Sequence, residues 1–257
     1  NFGCPHRNQF SDEMGLKINW GDEDPERLWK LEVGLGYSSV IEVDGLAYTQ
    51  GNKNGRNTLY CVNVKTGVIV WKHSYPCEKA PKYFDGGSRS TPTIKDGFLY
   101  LCSHEGDFYT LDAKSGSILW TKNILKDFQG KRPMWGYSGS PLVSGGNIII
   151  ETGSPTGSLI CVKTENGELV WKAGDSEAGY ASPVLNESNE ILIFNEFGLI
   201  IHDFKTGKIK KKYQHKTRYG INAAQPLIYE NKIFVSSAYG KGAALIDFTK
   251  RVPGAIW

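Results

Sequence analysis

Six residues carry the side chains best suited to hold a ligand: Arg89, Trp135, Tyr137, Arg218, Tyr219 and Asn222. They lie in the segments Arg89-Ser90-Thr91, Trp135-Gly136-Tyr137-Ser138 and Arg218-Tyr219-Gly220-Ile221-Asn222, each leading into a run of β-branched and other apolar residues. Guanidinium groups grip carboxylates through two parallel hydrogen bonds, and arginine, tryptophan and tyrosine dominate binding hot spots. The chemistry on offer is recognition of a small carboxylate, a peptide or a protein. Bond making is poorly served. GYSGS at Gly136 to Ser140 lacks the second glycine of a nucleophile elbow and leads into a strand. AYGKGAA around Lys241 has neither the spacing nor the following helix of a phosphate loop. His6, His73, His104, His202 and His215 never reach metal-ligand spacing. Glu151 and Asp85 are the nearest candidates for a general base, and both read as ordinary solvated acids. No catalytic residue and no metal ligand is assigned.

The elements that must position the six residues come from repetition. The phrases YCVNVKTGVIVW, YTLDAKSGSILW, ICVKTENGELVW and IHDFKTGKIKKK end at Trp71, Trp120, Trp171 and Lys211, and self-similarity at a period of roughly 40–50 residues marks a repeat architecture. In each phrase a strand runs into a tight turn at Thr/Ser/Asn-Gly, where glycine can take positive φ, and a second strand returns. Upstream of each lies another strand–turn–strand, as in STPTIKDGFLY around Thr91. One repeat is therefore four short antiparallel strands. Five are expected, over Tyr37–Tyr75, Arg89–Asn123, Tyr137–Gly174, Gly179–Gln214 and Ile221–Trp257. Units of this kind bury both faces by stacking around an axis, so the expected fold is all-β, a β-propeller of four-stranded blades. Residues 28–257 form the repeats and residues 1–27 an N-terminal extension. The six candidates then enter innermost strands at one mouth of the channel. Crowding of inner strands alone accounts for the small residues beside them.

These phrases resemble the tryptophan-docking repeat, approximately A-x-D-x-x-T-G-x-x-x-W, of the pyrroloquinoline quinone (PQQ)-like β-propeller superfamily, which includes quinoprotein alcohol dehydrogenases and BamB-like outer-membrane assembly lipoproteins. The resemblance runs from Leu28 onward. It implies that Trp71, Trp120 and Trp171 wedge into the next blade as structural docking residues. It also implies an exported protein, periplasmic, secreted or on the outer surface, and a ring of about seven or eight blades, of which this chain would be a part, the alternative being that the last strand is displaced and five blades close. The segment FGCPHRNQ matches, in part, an opening found in secreted bacterial PQQ-like proteins. In the quinoproteins PQQ sits over the axis on Ca²⁺, with an aspartate base and often a disulfide of adjacent cysteines. No adjacent cysteines occur here, so no cofactor is expected, with PQQ and calcium as the alternative.

Lys211 in the tryptophan slot is the departure from the pattern. A lysine can lay its methylenes across a blade with its ammonium in water, which predicts a weak junction. Lys208, Lys210 and Lys212 would share one solvated face of that outer strand, discouraging edge pairing. A formal net charge of +3 gives no field for nucleic acid, and no apolar run reaches about 18 residues, so no transmembrane segment is expected. Cys61, Cys102 and Cys161 read as small buried hydrophobes, whereas Cys4 and Cys77 lie in irregular segments and could pair. The strand RLWKLEV around Trp29 looks like an outer strand arriving before its inner partners, and AIW at the end looks like the outer strand of the fifth repeat. The expected function is a non-enzymatic binding or scaffold module. A PQQ-dependent alcohol dehydrogenase-like oxidoreductase and a sensor domain of a larger signalling protein are the alternatives.

Overall fold

The computed structural model describes residues 13–15, 17, 19–21, 25–80 and 84–257. The opening FGCPHRNQ and Cys4, with its suggested pairing to Cys77, lie outside the described residues. The chain divides into two compact units, one ending at Ser88 and one spanning Arg89–Trp257.

The first unit holds one four-stranded antiparallel sheet, β1 (Ile41–Val43), β2 (Leu46–Lys53), β3 (Arg56–Asn63) and β4 (Ile69–Pro76), in sequence order. Asp44-Gly45 and Asn54-Gly55 both take positive φ, the geometry that two-residue hairpin loops require to match strand twist. At the β3–β4 turn the Asn63 carboxamide oxygen accepts the N–H groups of Lys65 and Thr66, closing the corner before Gly67. Trp29 lies outside any strand, contrary to the outer strand expected there, yet it docks onto this corner. Its indole Nε1 donates to Val64 O at 2.6 Å, and a Cβ on Gly67 would fall 2.6 Å from the indole Cγ. Trp71 pairs with Cys61 across the sheet and its half-buried ring tilts against Tyr48, centroids 6.0 Å apart.

The second unit stacks four such sheets: β5 (Thr93–Lys95) to β8 (Ile118–Asn123), β9 (Leu142–Ser144) to β12 (Leu169–Ala173), β13 (Val184–Leu185) to β16 (Ile209–Gln214), and β17 (Leu227–Tyr229) to β20 (Gly254–Ala255). A short helix, α1 (Ile124–Asp127), follows β8 and is capped by Asn123. The middle strands β10 (Asn147–Ser154) and β11 (Gly157–Lys163) are buried along nearly their whole length, because apolar residues on both faces meet a neighbouring sheet. Phe108 and Ile160 join the second sheet to the third, Ile149 and Ile191 the third to the fourth, and Leu199 and Val235 the fourth to the fifth. These are the five four-stranded blades of a β-propeller fold that the repeats predict, and the fifth is completed by its own outer strand at AIW.

Two sets of contacts lock one blade to the next. On the outer strands, Trp120 Nε1 donates to Thr164 O at 2.9 Å and Trp171 Nε1 to Phe204 O at 3.2 Å. The turn glycines beneath them leave no room for a side chain: a Cβ on Gly167 would lie 2.8 Å from Trp120 and one on Gly207 2.4 Å from Trp171. On the inner strands, Thr91 N donates to Ser140 Oγ at 3.2 Å, Ser140 N to Ser182 Oγ at 2.9 Å, and Thr93 Oγ1 to Pro141 O at 2.8 Å. The small residues at the axis therefore do more than relieve crowding.

The Lys211 junction differs from its expectation. The ammonium is held by the next blade: it donates to Phe248 O, the carbonyl equivalent to Thr164 O and Phe204 O, and at its exposed side to Lys250 O. The receiving turn has Arg251 where the others have glycine, so an indole would meet a side chain. On the same strand Lys210 and Lys212 are exposed, Lys210 paired with Glu190 and Asp203 and Lys212 over the Phe197 ring, as a solvated outer face requires.

Trp120→Ala should lose about 3–5 kcal/mol of stability and Trp120→Phe about 1–3, read by denaturant unfolding. Lys211→Trp, despite restoring the repeat pattern, should lose about 1–3 kcal/mol through overpacking against the Arg251 turn; a gain would show that the turn can open for an indole.

Candidate functional site

The segments entering β5, β9, β13 and β17 bring distant residues together within Arg89–Trp257. Gly136 takes φ 77, and a Cβ there would lie 2.7 Å from Arg89 Nη1 and 2.6 Å from His104 O. Only glycine lets the loop close over the guanidinium. Burial, reinforced by the charges of Arg89 and Arg132, pushes the His104 imidazole down to about 4 and keeps it neutral. Half-buried Trp135 donates its backbone N–H to the Tyr180 hydroxyl at 3.3 Å. That phenol is held above its ordinary range, chiefly by burial, while the Trp135 N–H and Arg89 pull it down and Glu177 and Tyr239 push it up. Tyr239 in turn meets Tyr219 edge to face, centroids 5.1 Å apart, and the Arg218 guanidinium lies 5.4 Å from the Tyr219 ring centre. Arg89, Trp135 and Tyr180 thus gather at the entrances of the second, third and fourth blades, and Arg218, Tyr219 and Tyr239 form a second group on the fifth.

Two of the expected rim residues are elsewhere. Tyr137 is buried in the core beside Phe108 and Ile124, and its hydroxyl donates to Thr152 O at 2.8 Å. Asn222 is fully buried; its amide donates to Asn195 O at 2.6 Å and His215 O at 2.9 Å while Ser237 Oγ donates back to it. Both fasten the segments that display the rim. Tyr180 and Tyr239 belong to the surface although neither is among the six candidates; Tyr180 lies in Gly179-Tyr180-Ala181-Ser182, an entrance to an inner strand like those of the candidates. Tyr239 sits in the AYGKGAA stretch, where two glycines after an aromatic residue signal a hairpin tip that can hold a side chain outward.

Glu151 is no ordinary solvated acid. Its Oε1 is enclosed with no hydrogen-bond partner, and burial pushes its carboxyl up to about 8, against the Gly179 N–H and Asn195 side chain that favour ionisation. It lines a cavity of about 30 Å³ with Phe108, Ile124, Tyr137, Ser140 and Gly179, a volume on the scale of one or two waters and too small for an organic substrate. Asp85 is exposed. Among the described residues of Arg89–Trp257, no three His, Cys, Asp or Glu side chains converge. The described cysteines, Cys61, Cys77, Cys102 and Cys161, are all buried.

A carboxyl held near 8 when folded, against 4.5 ordinarily, binds its proton more tightly in the native state. Glu151 therefore contributes stability that is complete below about pH 4.5 and lost as pH rises through about 8. His104, lowered to about 4, acts in the opposite sense at acid pH, so the informative quantity is a difference. The melting temperature of wild type minus that of Glu151→Gln should fall steadily as pH rises across this window; a flat difference would mean that Glu151 reaches solvent.

Comparison with known proteins agrees with the architecture. A curated relative, the quinoprotein alcohol dehydrogenase PedH of Pseudomonas putida, is 29% identical over 168 residues, covering 62% of this chain and 27% of its own length. The outer membrane protein assembly factor BamB of Yersinia pestis is 23% identical over 182 residues, covering 58% of this chain and 45% of its own length. The chain therefore spans less than half the length of either. Among solved structures, BamB from Moraxella catarrhalis superimposes with a TM-score of 0.59 at 18% identity, over 85% of this chain and 62% of that one. No described helix is long and apolar enough to cross a membrane. The family described as outer membrane protein assembly factor BamB matches residues 55–252, and the chain belongs to that PQQ-like β-propeller family.

Proposed function

We propose that this chain is a non-enzymatic binding or scaffold propeller that works outside the cytoplasm and takes a protein or peptide partner on the surface from Arg89 to Arg218. The observation that carries this reading is the convergence of arginines from the entrances of the second and fifth blades with Trp135, Tyr180, Tyr219 and Tyr239 between them. Aromatic and arginine side chains set in a rigid frame are the usual composition of an interface hot spot. The segments that carry Trp135 and Tyr180 are each tied to the following blade, Ser138 Oγ donating to Tyr180 O at 2.9 Å and Tyr180 N to Asn222 O at 2.9 Å.

The oxidoreductase reading has the 29% identity to PedH in its favour. Against it stand the lack of adjacent cysteines and of a converging carboxylate set. Protein incubated with PQQ and Ca²⁺ should keep no quinone absorbance after desalting and show no dye-linked alcohol oxidation; stoichiometric retention of PQQ would reverse the two readings. An Arg89→Ala/Arg218→Ala double variant should lose affinity for acidic peptides at least about tenfold, and Arg218→Ala alone, at the exposed end of the surface, should weaken binding at an unchanged melting temperature. Unchanged affinity would remove the partner from this surface.

A further inference from the structure

The end of this surface formed by the fifth blade has the chemistry to select its partner. Tyr219 and Tyr239 are 59% and 52% exposed, and their rings cross at 80°. An edge-to-face pair leaves ring faces open to a third aromatic group, which can add to it in offset or edge-on geometry. Arg218 lies against Tyr219 and enters no salt bridge among the described residues.

The surrounding charges are unbalanced in one direction. Glu196 is paired with Lys216 and Glu177 with Lys131, so the nearby carboxylates are already compensated. Arg218 is left facing solvent, and Lys241, close enough to depress the His215 imidazole, stands on the same blade. The local field favours an anionic partner.

Tyr239 itself holds φ 59, a left-handed conformation that a bulky L-residue adopts only under constraint. Gly240 and Gly242 beside it take positive φ as well, yet the aromatic residue occupies the position where glycine would be strain-free. Strain kept in this way is found where a side chain must point at something.

We propose that Tyr219, Tyr239 and Arg218 form a docking point for an acidic polypeptide segment that carries an aromatic side chain. The incoming ring packs against the tyrosine pair, and a neighbouring carboxylate takes the bidentate face of Arg218. This rests on the scaffold reading and names the class of partner. A surface this open, with no enclosing walls, suits a chain segment bound at several points better than a free small carboxylate, which would be held at the guanidinium alone.

The test is fluorescence anisotropy with a labelled acidic peptide bearing one central phenylalanine, against the same peptide with alanine in its place and a small dicarboxylate as competitor. The phenylalanine peptide should bind wild type about tenfold more tightly than the alanine peptide. Tyr239→Ala and Tyr219→Ala should abolish that preference at unchanged melting temperature, and Tyr239→Phe should retain it. Equal affinity of the two peptides, or full displacement by the dicarboxylate at equal concentration, overturns the proposal. If the preference is absent but the Arg89→Ala/Arg218→Ala variant still loses the acidic peptide, the tyrosine assignment falls and the scaffold reading stands. If no substitution on the surface changes binding, both fall.

Discussion

Docking of an indole onto a glycine turn is the contact on which the blade architecture depends. Trp29, Trp120 and Trp171 each lay a ring where a Cβ would otherwise be and give the indole N–H to the carbonyl three residues before the turn glycine. The glycine is required twice over, by a positive φ near 70° and by the ring above it. Conformation and packing select the same residue, which is why the phrase survives in repeats whose other positions have drifted. Because Trp120 and Trp171 each come from one blade and dock on the turn of the next, the contact fixes the rotation between those sheets that hydrophobic stacking alone would leave loosely specified.

The inner strands add a polar counterpart. The Ser140 and Ser182 hydroxyls accept backbone N–H groups from the preceding blade, and the Thr93 hydroxyl donates to a carbonyl of the following one, satisfying groups that face the axis, where the sheet has no further strand to pair with. Tryptophans outside and hydroxyls inside hold the second, third and fourth blades together at both edges. The entrance segments between them are left free to vary in side chain without losing their backbone course, which suits them to display a binding surface.

Much of this was legible in the sequence. Strand count, hairpin turns and docking residues follow from period, Gly placement and Trp spacing, because they depend on local conformation and on contacts repeated from blade to blade. What resisted reading depends on pairs of residues far apart. Tyr137 and Asn222 look like rim residues until the core behind them is seen, and Glu151 looks solvated until Gly179 and Asn195 are packed over it. Trp29 carries no strand pattern, yet it occupies a docking position, since the turn at Gly67 needs an indole and not a ladder. The hold on the Lys211 ammonium is invisible in its own repeat, because nothing there reveals that the receiving turn has Arg251 in place of glycine.

That last junction has a mechanical meaning. Between the fourth and fifth blades a broad ring in van der Waals contact is replaced by a single flexible chain ending in a charge on two carbonyls. Such a contact tolerates changes of angle that a wedged indole forbids, and it weakens as ionic strength rises. Tyr180 is carried by the entrance to the fourth blade, and Tyr219, Tyr239 and Arg218 by the fifth. The surface proposed for the partner crosses this junction, so within Arg89–Trp257 the spacing between its fourth- and fifth-blade parts is the one least firmly wedged.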